Sequence, residues 1–331
     1  MKKLKNPLFV LHVMLALILF TGVSNATLYN INVPMSGTQE VPPNISPGTG
    51  TLTGTYNDVT NTLVFTVTFS GLTGNTTASH FHGPAAVGVN AGVRIGLTGF
   101  PTGVTSGTYS NTFVLTAANE TELLGDIWYL NIHSSAFPGG EIRGQVYANP
   151  VTNLDLTYFI EGFYDDTDDS QISDTITVQL RNSTTPFAVA YEKKGILSFD
   201  GTIQLQYIDI ANGIYYIAVS HRNSIETWSS SAISVTSGSP ENYNFSTASS
   251  QAFGNNEIQV DAAPVRFAAY SGDVNQDGTI DLTDGGLIDN DSFNFIGGYV
   301  STDVNGDNLV DVADAVFADN NGFNFIVKQT P

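Results

Sequence analysis

Two stretches near the C-terminus set oxygen-bearing side chains at alternate positions, the pattern that lets a bent chain surround a hard cation. Asp273, Asn275 and Asp277 stand at positions one, three and five of a twelve-residue loop. Gly278 takes the turn at six, the Thr279 carbonyl falls at seven, Asp281 at nine and Asp284 at twelve. The series recurs with Asp303, Asn305, Asp307, the Leu309 carbonyl, Asp311 and Asp314. Asn308 replaces the turn glycine there, and Asn is the non-Gly residue that best tolerates a left-handed backbone. Calcium takes about six to eight oxygens, so the two loops are expected to hold two calcium ions. Ile280 and Val310 occupy position eight, where they are expected to pair across the loops. The segments that follow also repeat: Asp291-Ser292-Phe293-Asn294-Phe295-Ile296 is echoed by Asn321-Gly322-Phe323-Asn324-Phe325-Ile326. Such duplication implies two copies of one supersecondary unit packed together.

Imidazoles offer a second chemistry. His80 and His82 fall on one face of a strand, two residues apart, a chelate spacing for copper or zinc. His133 is a third candidate ligand if its strand is a neighbour, and Glu141 a fourth. The structural alternative is that these rings hydrogen-bond loops at a strand end, beside Gly83-Pro84.

The elements that must carry these groups are mostly strands. Leu63, Phe65, Val67 and Phe69 alternate with polar neighbours, and Asn57-Asp58 and Asn61 separate them from an earlier run at Leu52–Tyr56, which predicts a hairpin. Asp126–His133 reads as a strand with Trp128, Leu130 and Ile132 on one face and Ile127, Tyr129, Asn131 and His133 on the other. Asn149-Pro150 marks a break. Beyond it, Leu154, Leu156, Ile176, Val178 and Leu180 alternate again, and Ile214–Val219 reads as a central sandwich strand. Asp165-Asp166-Thr167-Asp168-Asp169 reads as a solvated loop, and Arg222, Glu226 and Trp228 as an ion pair beside a packed indole. Residues 264–331 contain eleven Asp and no Glu.

Composition narrows the function classes. A formal charge of -20 over 331 residues repels phosphate backbones, so nucleic acid is not an expected partner. With no cysteine, disulfides, thiolate metal sites and a thiol nucleophile are excluded. Lys2, Lys3 and Lys5 precede a largely apolar run to Val23 and the small-residue site Ser24-Asn25-Ala26, so residues 1–26 read as an export signal peptide. No later stretch is long and apolar enough to be read as a transmembrane segment. G-x-S-x-G, H-E-x-x-H and phosphate-loop motifs are absent, and no carboxylate pair stands out as a glycosidase site, so the chain is not expected to be an enzyme.

The duplicated loops with Asp at position twelve resemble a type I dockerin over about 60 residues. That resemblance implies a calcium-folded module, each loop followed by a short helix, which docks onto a cohesin-like domain of another extracellular protein. Positions ten and eleven, often small hydroxyl residues in that family, are Leu282-Thr283 and Val312-Ala313 here. His80-Phe81-His82-Gly83-Pro84-Ala85, Tyr129-Leu130-Asn131-Ile132-His133 and Phe137-Pro138-Gly139-Gly140-Glu141-Ile142-Arg143-Gly144-Gln145 resemble the CHRD domain, named for chordin and widespread in secreted bacterial proteins. The family implies a β-sandwich. In the same block, Glu141 and Arg143 share a strand face, where an ion pair is expected with each other or with a histidine. The stretch from Tyr215 to Trp228 looks similar to β modules that precede dockerin-like tails.

The expected architecture is mostly β: a signal peptide (1–26), a CHRD-like sandwich (27–150), an Ig-like sandwich (151–263) and a small α-helical duplicated calcium-loop tail (264–331). The expected function is that of a secreted, non-catalytic binding or scaffold protein whose tail docks to an extracellular partner. A copper or zinc protein, or metalloenzyme, built on the histidines and a structural surface or matrix protein are the alternatives.

Overall fold

Strict alternation over Thr62–Ser70 sets one buried and one wet face, and the first sandwich is assembled from strands of this kind. The computed structural model describes residues 26–331; the signal peptide expected over residues 1–26 lies outside them, apart from Ala26. The strands are β1 (Leu28–Ser36), β2 (Thr49–Asn57), β3 (Thr62–Ser70), β4 (Thr76–His82), β5 (Val93–Gly96), β6 (Gly107–Val114), β7 (Trp128–Ser134) and β8 (Ile142–Val146), with helix α1 (Ala117–Leu124) before β7. Their order is β5-β4-β7-β8-β1-β2-β3-β6. β8 and β1 touch at a single register pair, Ser36 with Arg143, so the path folds there into two four-stranded leaves. Leu63, Phe65, Val67 and Phe69 face inward, and Phe65 meets Phe81 of the opposite leaf edge-on with centroids 5.2 Å apart. Trp128, Leu130 and Ile132 are fully buried in the same core.

The outward face of β4-β7-β8 is covered as well. Tyr129, Asn131, Arg143 and Gln145 are buried there, because the loops around residues 37–48 and 83–92 fold over them. Arg143 donates to the Val89 carbonyl and to Asn90 Oδ1, Asn90 donates to the Val41 carbonyl, and Gln145 donates to the Ala85 carbonyl.

The chain then runs without a linker into a second sandwich. Its strands are β9 (Asn149–Thr157), the short β10 (Tyr164–Asp165) and β11 (Ser170–Gln171), β12 (Asp174–Asn182), β13 (Val189–Leu197), β14 (Thr202–Ile208), β15 (Gly213–His221), β16 (Ser224–Trp228), β17 (Ile233–Val235) and β18 (Glu241–Asn244). Asn149, Pro150 and Val151 of β9 pair with β1, whereas Val151–Thr157 pairs with β14 and Leu154–Thr157 with β18. The break read at Asn149-Pro150 is therefore the start of a strand shared by both sandwiches. The facing sheet runs β13-β12-β15-β16, with β17 also on β15. Leu154 and Leu156 pack against Ile176, Val178, Leu180, Ile217 and Val219. Asp165–Asp169 is an exposed turn between β10 and β11. Glu226 accepts from the Trp228 indole at 2.6 Å, but its cations are Arg181 and Lys328; Arg222 turns instead to Asp174 and Asp303.

The hairpin β19 (Ile258–Ala262) and β20 (Val265–Ala268) spans the boundary expected at 263/264 and leads into the two helices of the tail, α2 (Leu282–Phe293) and α3 (Val312–Phe323). Each helix opens on a reciprocal capping box, Asp281 with Asp284 and Asp311 with Asp314. Ile280 and Val310 share one core but do not pair through their backbones. Ile280 N–H donates to the Ile326 carbonyl after α3, and Val310 N–H to the Ile296 carbonyl after α2, both at 3.0 Å. Each loop is thus bound to the end of the other repeat. Ile225 of the second sandwich packs into the tail core with Ile280, Val304 and Val310. Polar contacts tie the same two parts: Asn223 to the Asp303 carbonyl, Tyr299 to Asp174 at 2.6 Å, and Asn321 to Glu161 at 2.6 Å. Among the described residues no helix is long and apolar enough to cross a membrane.

Two predictions follow from this packing. Trp128 is fully buried, and its indole N–H donates to Glu122 at 3.0 Å, so Trp128→Ala should cost about 3–5 kcal/mol in urea denaturation. A loss below about 1 kcal/mol would mean that the strand faces are reversed. Glu257 is 3% exposed, neither of its carboxyl oxygens has a partner, and burial pushes its pKa from 4.5 up to about 9. The unfolded chain loses this proton first, so stability contributed by the protonated group is full below 4.5 and is lost as pH rises towards about 9. Glu257→Gln should therefore be near-neutral at about pH 5 and stabilising by a few kcal/mol at about pH 8. Equal effects at both values would count against it.

Candidate functional sites in the tail loops and the histidine cluster

The two tail loops fold alike and share most of their hydrogen bonds. Asn275 Oδ1 accepts from Asp277 N–H and Asp277 Oδ1 from Thr279 N–H; Asn305 and Asp307 do the same towards Asp307 and Leu309. Asp281 and Asp311 cap their helices by accepting from Thr283 and Ala313 N–H at 2.7 Å. Asp284 is fully buried and accepts from the N–H groups of Val274, Asn275 and Asp281. Asp314 is equally buried and accepts from those of Val304, Asn305 and Asp311. The carboxylates at position twelve thus bind each loop back onto its own first turn. The turn residues Gly278 and Asn308 both adopt positive φ, 88° and 69°, and their N–H groups donate to Asp273 Oδ2 and Asp303 Oδ2.

The second oxygen of each first-position aspartate is different. Asp273 Oδ1 and Asp303 Oδ1 are both buried and have no hydrogen-bond partner among the described residues. A buried carboxylate oxygen without a partner is costly, and a hard cation satisfies it. Burial and the neighbouring Asp284 charge push Asp273 up to about 6. Burial also raises Asp303, but the Arg222 guanidinium, with Nη2 3.7 Å from Oδ2, pulls the other way. These donor sets are all oxygen and carry several charges, which fits calcium. The ion would be held by Asp273, Asn275, Asp277 and Asp284 in one loop and by their equivalents in the other, with the Thr279 and Leu309 carbonyls at position seven.

The histidines do meet. His80 and His82 lie on β4, His133 on the adjacent β7, and one ring nitrogen from each falls within 4.8 Å of the others. His80 Nδ1 and His133 Nε2 are 3.2 Å apart. His82 Nδ1 faces the Ala91 carbonyl at 3.0 Å, and His133 Nδ1 faces that of Pro138 at 2.9 Å. The His82 ring lies flat on Tyr129 at 4.8 Å between centroids. Burial, then the neighbouring rings, hold His80 below its ordinary value; burial is also the main cause for His82.

Glu141 is not part of this cluster. It is fully buried elsewhere, accepting from Ser46 Oγ at 2.6 Å and from the N–H groups of Thr73 and Gly74. Burial opposes its ionisation, but those hydrogen bonds and one from Ser134 hold its pKa below the ordinary value. It ties three loops together. Nor does it pair with Arg143, which lies 3.3 Å above the Tyr129 ring and faces Glu40 instead. Glu40 is pushed by burial up to about 7. It sits in a loop outside any periodic run, so nothing in the sequence pattern pointed to it.

Residues 31–146 match the CHRD domain. The match covers roughly a third of the chain, takes in the whole histidine cluster, and stops short of the second sandwich and the tail. No curated protein matches the sequence. Among solved structures, a type II cohesin–X–dockerin complex from Acetivibrio cellulolyticus aligns at 16% identity, covering 53% of this chain and 99% of that one, with a TM-score of 0.28. The major pilin subunit of Bacillus cereus aligns at 14% identity, covering 66% of this chain and 70% of that one, with a TM-score of 0.19.

Calcium removal should therefore act on the tail. Chelation is expected to lower the melting temperature of the full chain, and Asp273→Ala should abolish much of the difference between calcium and chelator. A melting temperature that is the same with and without calcium would remove the calcium assignment.

Proposed function

We propose that this chain is an exported, non-catalytic modular protein whose calcium-loaded tail docks onto an extracellular protein partner, while the two sandwiches bind or scaffold outside the cell. The observation that carries this reading is the apolar surface of the tail. Leu282 and Val312, the tenth residues of the two loops, are 91% and 75% exposed. Phe293, Phe295, Phe323 and Phe325 are each more than 80% exposed. A groove of about 550 Å³ is lined by Ile280, Leu282, Ala318, Phe323, Phe325 and Val327. Exposed apolar area on this scale, rimmed here by aspartates, marks a protein interaction surface rather than a solvated terminus. The loops supply a reason for calcium dependence, since the helices that carry Leu282 and Val312 begin within them. A partner domain of the cohesin type fits this reading.

Full chain used as bait in an extracellular extract should retain a partner in calcium and release it in EDTA. The double variant Leu282→Asp, Val312→Asp should reduce capture at least about tenfold while keeping the calcium-dependent melting shift. Retention that ignores both calcium and the variant would sink the docking reading. No partner, with calcium still bound, would leave the tail as a calcium-stiffened structural terminus.

A further inference from the structure

We propose that His80, His82 and His133 bind one divalent late transition-metal ion, zinc or copper(II), on the outer face of the first sandwich. The site is separate from the calcium loops in place and in chemistry.

The hydrogen bonds of the rings decide which nitrogens are free. A backbone carbonyl only accepts, so the contacts of His82 Nδ1 with Ala91 and of His133 Nδ1 with Pro138 place the proton on Nδ1 in both. Each Nε2 then carries a lone pair, and a ring held through its other nitrogen is the usual support of a metal-binding histidine. His82 Nε2 is buried and makes no well-formed hydrogen bond among the described residues, with the Asn131 side chain beside the ring. Without an ion His133 Nε2 accepts from His80 Nδ1 at 3.2 Å; once that proton sits on His80 Nε2 instead, both atoms offer lone pairs at a separation close to the ~3.4 Å edge of a tetrahedral site with nitrogens at about 2.0–2.1 Å. The remaining gap, within 4.8 Å, closes by small rotations of His80 and His133, which are only partly buried. His82 is the fixed ligand, 8% exposed and stacked on Tyr129.

Donor type selects the ion. Three imidazoles without a carboxylate or thiolate suit zinc and copper(II) and not calcium or magnesium. The nearby Arg143 charge also acts on His82, but Glu40 faces it and offsets it in part. Three protein ligands leave a coordination position open to water or an exogenous ligand.

The test uses chelator-stripped full chain with excess calcium present, titrated with zinc in one arm and copper(II) in the other. One equivalent should bind in at least one arm. His80→Gln and His133→Gln, both at partly exposed positions, should each weaken it on the order of 100-fold without unfolding the chain. In the copper arm, nitrogen hyperfine structure from imidazole should appear in the electron paramagnetic resonance spectrum and diminish in either variant. Asp273→Ala should leave the stoichiometry unchanged. Absence of binding in both arms, binding indifferent to both histidine variants, or binding lost in Asp273→Ala would each overturn the site.

Discussion

Strand β9 is committed three times, and the arrangement of the molecule follows from it. Its first residues complete the ladder of β1, the rest pairs with β14, and its end also carries the parallel β18. A strand buried in ladders on both sides cannot act as a hinge, because every opened pair exposes backbone groups that folding has taken from water. The first sandwich is therefore joined to the second by hydrogen bonds and not by a tether. The second sandwich is in turn joined to the tail through Ile225, Asn223, Arg222 and Tyr299. A chain without a single disulfide obtains its continuity from shared strands and shared cores.

The acidic tail obeys a different constraint. Its carboxylates converge because each loop bends to feed N–H groups to Asp284 or Asp314, and these hydrogen bonds compensate charge only in part. One oxygen in each loop remains buried and unmatched. Internal hydrogen bonding thus brings the ligands together and leaves a deficit of positive charge at the centre, as a preformed cation site requires. The crossed pairing of Ile280 with Ile326 and of Val310 with Ile296 adds that neither repeat can close alone. A change at one loop therefore reaches the base of the other through backbone.

Period-two patterning exposed most of the architecture in the sequence, since β3, β7, β12 and β15 each bury one strict face or a continuous run. Pairing was not legible. Pro150 looked like punctuation because it lacks an N–H, yet in β9 it lies opposite Tyr29 and its carbonyl accepts from Asp209. The histidines were half legible: parity put His80 and His82 together, and only the β4–β7 register could add His133. Glu141 failed for the same reason. It precedes β8, where the chain turns between Gly140 and Ile142, so strand parity says nothing about where its side chain goes. Position eight of the duplicated loops misled as to backbone pairing, because the backbone partner lies beyond the opposite helix, although the two side chains do share one core.

The two loops are alike in sequence and hydrogen bonding but not in surroundings, and that asymmetry gives the tail a direction. Arg222 and Asn223 of the second sandwich reach the Asp303 carbonyl, and Arg222 also approaches its carboxylate, so the second loop begins against protein. Among the described residues Asp273 has no ion pair comparable to that of Asp303 with Arg222, and its carboxyl is the one driven up to about 6. Its helix begins with the more exposed of the two apolar residues, Leu282 rather than Val312. Arg222 supplies positive charge close to the second centre, whereas Lys328, which packs beside Gly278 of the first loop, pairs with Glu226 rather than with Asp273. On the proposed calcium reading the first loop is the more ion-dependent of the two, and its apolar residue Leu282 stands further into solvent, beside the face proposed to meet a partner.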